Sequence, residues 1–130
     1  MKDQNKDLPQ ALITGGGGEL AQAITEKLKS QGFEVLCPNK SHLDVTNKES
    51  VESFFHSQVS RKLELLINNA GLKEDSPILN MSKDSWDRVM DVNLKGAFSC
   101  SKLALKLFLK NRCGHIINMG SCLLYTSPSP

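Results

Sequence analysis

The sequence has no long apolar run and no strong excess of charge. No apolar stretch approaches the roughly 20 residues that a helix needs to cross a bilayer, so we expect no contact with a membrane. The formal net charge is only +2, and the 16 Lys and Arg residues are scattered along the chain. This distribution argues against a nucleic-acid partner. The first ten residues are polar and charged, which is not the pattern of a secretion signal.

Groups that form metal sites or disulfide frameworks are also few. The three histidines are far apart and have no cysteine or carboxylate at ligand spacing, so the sequence predicts no metal site. The four cysteines lack a Cys-x-x-Cys spacing; they are Cys37, Cys100, Cys113 and Cys122. We expect them to be reduced and semi-buried in a cytoplasmic protein. The 39% hydrophobic and 23% charged residues are typical of one globular domain.

The most informative stretch is a run of four glycines, Gly15 to Gly18. It follows a short apolar segment, Ala11 to Ile13, that is typical of a buried strand. It precedes Glu19 to Ser30, where apolar residues recur at helical spacing and Gly32 provides a stop. A strand, a glycine loop and a helix start together direct a helix N-terminus at a phosphate. A loop without function is the alternative, but a flexible linker would not join a buried strand to an amphipathic helix.

The rest of the chain alternates between strand and helix patterns. The predicted strands are Phe33–Cys37, a short strand or strand stub at Leu43–Val45, Leu63–Ile67 and His115–Asn118. One helix is capped by Thr46 or Asn47 and runs to about Ser60. Another is capped by Ser82, continues as a long pattern from Trp86 to Lys110 with a bend or division at Gly96, and ends at Gly114. This alternation predicts an α/β fold with a parallel sheet.

Polar residues follow the predicted strands at one edge of that sheet. They are Thr14-Gly15, Pro38-Asn39, Asp44, Asn68-Asn69 and Gly120-Ser121. Ligands of parallel α/β sheets bind beyond the carboxyl ends of the strands. The sequence therefore predicts a binding site at this edge.

These segments resemble the short-chain dehydrogenase/reductase family, in five motifs that occur in the family's order. Thr14 to Ala21 stands at the family's Thr-Gly-x-x-x-Gly-x-Gly loop, but Glu19 and Ala21 replace its second and third glycines. The spacing Gly-x-x-Gly-x-x-Gly/Ala fits better. The other four motifs are Leu43–Thr46, the unchanged Asn-Asn-Ala-Gly at Asn68–Gly71, Trp86–Gly96 with Val92-Asn93, and Gly114–Ser121. The resemblance implies a Rossmann-like doubly wound parallel sheet, incomplete at its C-terminal side.

The resemblance also implies roles for individual residues in a NAD(P)-dependent oxidoreductase that acts on a small carbonyl or alcohol. The loop backbone would hold the cofactor pyrophosphate, and further residues would contact the adenosine and the nicotinamide ribose. The implied cofactor-binding residues are Gly15, Gly17, Gly18, Leu20, Asn39, Asp44, Val45, Asn69, Ala70 and Gly71. Ser121 would orient the substrate carbonyl, and Asn93 would help to hold a water of the proton relay.

Each of these side chains also has a purely structural interpretation. Asn93 could bond a backbone carbonyl, and Asp44 could serve only in a turn or a helix cap. Ser121 could be an ordinary turn serine. The amides of Asn68 and Asn69 could bridge neighbouring strands without contacting a ligand.

The cofactor choice depends on the end of the second predicted strand. A carboxylate there would accept a hydrogen bond from the ribose 2′-hydroxyl and favour NAD. This chain has Pro38, Asn39 and Lys40 instead, and Lys40 could meet a 2′-phosphate. We therefore expect NADP in preference to NAD. The long helix is apolar on more than one side, so we expect either a homo-oligomer in the complete protein or cover by later residues.

The family's Tyr-x-x-x-Lys pair does not occur after Ser121. Tyr125 is too close to the serine, and no lysine follows Lys110. We interpret 1–121 as a partial Rossmann domain and 122–130 as a disordered tail outside the family pattern. The chain itself is expected to be inactive. The alternatives are a non-catalytic dinucleotide-binding sensor and a structural interaction domain, and binding of a cofactor would separate these two.

Overall fold

A parallel four-stranded sheet lies between helices in the computed structural model, which describes residues 7–72 and 78–120. Its elements are β1 (Gln10–Ile13), α1 (Glu19–Ser30), β2 (Glu34–Leu36), α2 (Lys48–Gln58), β3 (Leu63–Asn68), a short 3-10 helix (Ile78–Asn80), α3 (Lys83–Met90), a π turn (Asp91–Lys95), α4 (Gly96–Asn111) and β4 (His115–Asn118). The strand order is β2-β1-β3-β4, and all three pairings are parallel. The predicted Rossmann-like α/β fold is confirmed.

Each face of the sheet has its own apolar core. On one face, Leu12 and Leu66 pack with the side chains of α2 and α4, including Phe54, Phe55 and Phe108. On the other face, Ile13 and Ile67 pack with α1 through Ala21. The central strands β1 and β3 are therefore buried on both sides, which explains the apolar runs Ala11–Ile13 and Leu65–Ile67 within them. The structure has the three-layer arrangement typical of doubly wound sheets.

Local capping groups account for the helix boundaries. Asn47 accepts a hydrogen bond from the Ser50 N–H at the start of α2, and Ser82 accepts one from the Ser85 N–H at the start of α3. At the end of α1, the Gly32 N–H donates to Lys29 O and the Phe33 N–H donates to Leu28 O. These paired bonds satisfy carbonyls that the helix cannot satisfy itself. The caps predicted at Asn47, Ser82 and the end of α1 are thus present.

Two local predictions are wrong, a short strand and the residue that stops the last helix. Leu43–Val45 forms a turn instead of a strand, with the Asn47 N–H donating to Asp44 O and the Asp44 side chain accepting from Thr46. Leu43 and Val45 are both buried in the core against α2 and α4. Two buried residues separated by one residue give the sequence pattern of a strand, although this segment does not pair with the sheet. The last helix ends at Asn111, one residue after the predicted pattern, but the stop is Arg112, in a left-handed conformation with φ 54°, and not Gly114.

The long helical pattern is divided in three. α3 and α4 are joined by the π turn Asp91–Lys95, and Gly96 is the first residue of α4. Lys95 and Asp91 form an ion pair across that turn, with 3.2 Å between Nζ and Oδ1. None of the described helices is long and apolar enough to cross a membrane.

Candidate dinucleotide-binding site

The glycine loop is held between the ends of β2 and β3. Gly15 has φ +69°, and a Cβ built on it would lie 2.7 Å from the Cα of Ala70. On the other side, the Gly16 N–H donates to Pro38 O at 2.8 Å. The Gln22 side chain donates to Gly16 O at 2.9 Å. Because backbone approaches so closely on both sides, these positions require glycine and the loop has a fixed path.

The outer part of the same loop is open. A Cβ built on Gly17 or Gly18 would meet no other atom within 4 Å. Gly18 is the N-cap of α1 and supplies no side chain to its first-turn N–H groups. A helix leaves its first N–H groups without partners inside the helix, and these groups attract anions. The loop therefore has the space and the donors to hold a phosphate group, as a dinucleotide pyrophosphate requires.

Thr14 links this loop to the end of β3 by hydrogen bonds. Its Oγ1 accepts hydrogen bonds from the N–H groups of Asn69 and Ala70, at 3.1 and 3.0 Å. The Asn69 side chain donates to Gly15 O at 3.2 Å. Thr14 is 1% exposed, so these contacts are shielded from water. They place Asn69, Ala70 and the glycine loop side by side.

The residues after β2 form two hydrogen-bonded turns. The Asn39 Oδ1 accepts from the Ser41 N–H at 3.0 Å and lies 3.0 Å from His42 Nδ1. Its side-chain oxygen is thus directed into its own turn. The Asp44 Oδ1 accepts from the Thr46 N–H and hydroxyl, at 3.0 and 2.6 Å.

The pKa of Asp44 is lowered chiefly by the Thr46 hydroxyl, against the opposing effect of its burial. The Thr46 N–H and the positive charge of Lys40 lower this pKa further. Asp44 is therefore an ionised acceptor at neutral pH. Its second oxygen has no partner among residues 7–72 and 78–120.

Asn93 lies in the π turn and bonds the backbone of Leu72 twice. Its Oδ1 accepts from the Leu72 N–H at 2.9 Å, and its Nδ2 donates to Leu72 O at 3.1 Å. Asn93 therefore bonds a backbone carbonyl, as its purely structural interpretation predicts. A π turn shifts the helical hydrogen-bond pattern and is frequent at functional sites.

A cluster of hydrogen-bonded polar side chains lies at the bottom of the site, where β3 and β4 end. The Asn68 Nδ2 donates to the Ser101 Oγ at 3.1 Å and to the Asn118 Oδ1 at 2.8 Å. Asn68 is 8% exposed, and its own Oδ1 has no hydrogen-bond partner in the described structure. The Met119 N–H donates to Asn68 O. Asn68 thus ties β4 to β3 and α4, as the strand-bridging interpretation of this residue expects.

A cleft of about 1000 Å³ lies at the carboxyl ends of the strands, and Thr14, Asn68 and Asn118 are among the residues that line it. Six predicted site residues line it, namely Leu20, Val45, Asn69, Ala70, Gly71 and Asn93. Gly15, Gly17, Gly18, Asn39 and Asp44 do not line this cleft; they belong to the glycine loop and the turns after β2. Ser121 lies outside the described residues.

Thr14 is predicted at the binding edge from the sequence, but without a role of its own. Gln22 and Ser101 are not predicted from the sequence, because their part in this region depends on tertiary contacts. A second groove, of about 490 Å³ between β2 and α2, contains none of the predicted site residues. No three His, Cys, Asp or Glu side chains of the described residues are grouped so that they could hold a metal ion.

The sequence of this region matches a known family. The family model for short chain dehydrogenase matches residues 39–125, which is more than half of the chain. The chain belongs to this family. The short-chain dehydrogenase match covers Asp44, the Asn68–Gly71 loop, Asn93 and β4, and the glycine loop precedes it in sequence.

Individual members of the short-chain dehydrogenase family are similar over most of the chain. The 3-oxoacyl-[acyl-carrier-protein] reductase FabG of Staphylococcus aureus is 34% identical over 113 residues, which cover 85% of this chain and 45% of that protein. The FabG of Salmonella typhimurium is 30% identical over 131 residues, covering 85% and 54%. The chain thus spans about half the length of the curated relatives it matches.

Solved structures agree with this fold. Serine dehydrogenase from Escherichia coli superimposes with a TM-score of 0.79 at 26% identity, over 92% of this chain and 64% of that chain. A closed form of serine dehydrogenase complexed with NADP+ gives the same TM-score at 25% identity, over 92% and 57%.

Proposed function

We propose that this chain is the dinucleotide-binding part of an NADP-dependent oxidoreductase that transfers hydride between the cofactor and a carbonyl or alcohol. The observation that best supports this proposal is the free space around Gly17 and Gly18, which we call the open cradle. It lies in front of the start of α1, where no side chain caps the helix. The bound dinucleotide would supply the hydride. The relatives are named for different substrates, 3-oxoacyl-[acyl-carrier-protein] and serine, so the proposal extends to the reaction type and not to one substrate.

Different residues of the chain would bind different parts of the cofactor. The backbone from Gly15 to Leu20 would bind the pyrophosphate through N–H donors. The ionised Asp44 would accept a hydrogen bond from the adenine amino group, with Val45 beside it. Asn69, Ala70 and Gly71 would border the ribose on the nicotinamide side, held in place by Thr14.

NADP is proposed over NAD because of the turn that follows β2. The Asn39 oxygen is engaged with Ser41 and His42, so it is poorly placed to accept from a ribose 2′-hydroxyl. Lys40 in the same turn is exposed and would attract a 2′-phosphate. The structure of a serine dehydrogenase of similar fold is described as complexed with NADP+, which supports this choice.

Catalytic roles are proposed for two residues. Ser121 would orient the substrate carbonyl by hydrogen bonding, since in the sequence it follows β4 within the motif that resembles the family's strand and serine. Asn93 would contribute through the π turn, near a water of the proton relay. The 130-residue sequence contains no Tyr-x-x-x-Lys pair, so we propose that this chain binds the cofactor without turning over substrate.

Subunit contacts are proposed at the exposed face of α4. Leu109 is 78% exposed and Leu105 is 46% exposed, and because they are four residues apart they lie on the same side of α4. Such a face is suited to pack against a second subunit in the complete protein. A monomer by light scattering of the complete protein would contradict this part of the proposal.

Titration of the 130-residue chain with NADPH and NADH tests the function. We expect NADPH to bind more tightly, and Lys40→Ala to weaken NADPH binding while leaving NADH binding almost unchanged. Lys48→Ala, at a lysine that is 86% exposed on α2, is the matched control. Equal affinities for both cofactors would overturn the NADP assignment.

A second variant tests the site itself. A Cβ built on Gly17 has no atom within 4 Å beyond its chain neighbours, so we expect Gly17→Leu to fill the open cradle, abolish binding and leave folding intact. Ala23→Leu, on the exposed side of α1, is its control. Absence of NADPH binding by the unmodified chain would overturn the proposed function. Binding without turnover by the complete protein would favour a sensor over an enzyme.

A further inference from the structure

Glu19 is an acidic residue that lies next to the proposed phosphate site. It is the first residue of α1 and directly follows the open cradle of Gly17 and Gly18. Its side chain is exposed and forms no ion pair with any residue of the described ranges. The segment 14–22 contains no Lys or Arg that could neutralise it. A full negative charge thus stands at the phosphate-binding end of the helix.

We propose that Glu19 sets how tightly this protein holds its dinucleotide, by repelling the cofactor pyrophosphate; this rests on the proposed function. The start of a helix carries a partial positive charge that attracts any nearby anion. The Glu19 carboxylate and the pyrophosphate are attracted to the same helix end, and both are negative. Each therefore makes the position less favourable for the other. The result is a weaker and more easily exchanged cofactor complex.

The repulsion acts equally on both nicotinamide dinucleotides. NADP and NAD share the pyrophosphate and differ only at the ribose 2′ position, which Lys40 is proposed to sense. Glu19 therefore changes the affinity for both cofactors by the same factor. Lys40 changes the preference between them. The effects of Glu19 and Lys40 can therefore be measured separately.

A purely structural role of Glu19 leads to the opposite expectation. An acidic residue in the first turn stabilises its own helix through the helix dipole. If that were its only effect, its removal would lower the stability of α1, and cofactor affinity would stay equal or fall. A gain in affinity together with a small loss of thermal stability is therefore specific to the repulsion.

The test is Glu19→Gln in the 130-residue chain, with dissociation constants for NADPH and NADH measured by fluorescence titration. The control is Glu26→Gln, since Glu26 is exposed on the same face of α1, about 10 Å farther along the helix. At about 0.02 M salt we expect Glu19→Gln to tighten both cofactors by about 3- to 10-fold. At about 0.5 M salt the gain should largely disappear. Glu26→Gln should change neither constant.

Two results would overturn the inference in different ways. If NADPH binds the unmodified chain and Glu19→Gln binds it equally or more weakly, the role of Glu19 is refuted and the proposed function stands. If neither protein binds NADPH at either salt concentration, the proposed function fails and the inference fails with it.

Discussion

Gly96 lies directly against Val45. A Cβ built on Gly96 would come within 2.6 Å of the Val45 Cγ2 and 2.9 Å of its Cβ. The first turn of α4 can therefore approach the segment that carries Asp44 only because residue 96 has no side chain. This contact fixes one wall of the cleft, since Val45 lines it.

Gly96→Ala should destabilise the protein, although alanine is the better helix former. We expect a loss of about 1–3 kcal/mol in the free energy of unfolding, because a methyl group is forced into a packed contact. Urea unfolding measures this loss. The double variant with Val45→Ala should lose less than the sum of the two single variants. A neutral or stabilising Gly96→Ala would show that α4 shifts freely.

Asn93→Ala should release the loop after β3. Both hydrogen bonds to Leu72 would be lost, so the Leu72 amide should exchange with solvent faster, measured by hydrogen exchange with NMR. Asn93→Asp keeps the acceptor for the Leu72 N–H but loses the donor to Leu72 O. It should give an intermediate rate. An unchanged Leu72 exchange rate in Asn93→Ala would contradict this anchoring role.

The sequence was sufficient for the parts of the site that local patterns encode. The strand, glycine loop and helix start around Gly15 to Glu19 require only neighbouring residues, and the family motif Asn68–Gly71 adds the facing loop. Leu43–Val45 was predicted wrongly because two buried side chains with one residue between them resemble a strand. The Asp44 side chain there bonds Thr46 and so supports a turn instead.

Tertiary contacts account for what the sequence could not provide. Thr14 bonds residues that are 55 and 56 positions away, and Asn93 bonds one that is 21 positions away. Helical periodicity shows that Asn93 lies on one face of a helix but does not show its partner. The π turn is equally hidden, because its sequence continues the helical pattern of α3 and α4.

Asp44 provides a prediction about pH. Its pKa is lowered in the folded state, chiefly by the Thr46 hydroxyl, so it stabilises the fold above its unfolded pKa of about 3.9. This contribution is lost as the pH falls through the lower folded pKa. Thr46→Val should raise the pKa of Asp44, measured by NMR titration of its carboxyl carbon. Thr46→Ser keeps the hydroxyl and should leave the pKa low.

The stability of Thr46→Val should follow the same sign. Its deficit against the unmodified protein should be largest near neutral pH and should shrink in acid, where Asp44 is protonated in both proteins. A deficit that does not depend on pH would mean that Thr46 acts through packing and not through Asp44.

The cysteines should differ in reactivity. Cys100 is fully buried on α4, and burial raises its pKa to about 12. Cys113 is exposed after the same helix, and Cys37 is half-buried. Because the thiolate is the reacting species, iodoacetamide should modify Cys113 before Cys37, and Cys100 only after unfolding, as followed by peptide mass mapping of these three cysteines. Rapid modification of Cys100 in the native protein would contradict its burial.

Thr14, which directly precedes the glycine loop, should be sensitive to the loss of its hydroxyl group. Thr14→Val keeps the shape of the side chain but removes the acceptor for the Asn69 and Ala70 N–H groups. Leaving two shielded donors without partners should cost about 2–4 kcal/mol of unfolding free energy. It should also weaken NADPH binding, since the loop and the end of β3 lose their link. Thr14→Ser retains the hydroxyl, so it should keep most of both properties. A Thr14→Val protein that binds NADPH normally would show that the loop is positioned by Gly15 and Gly16 alone.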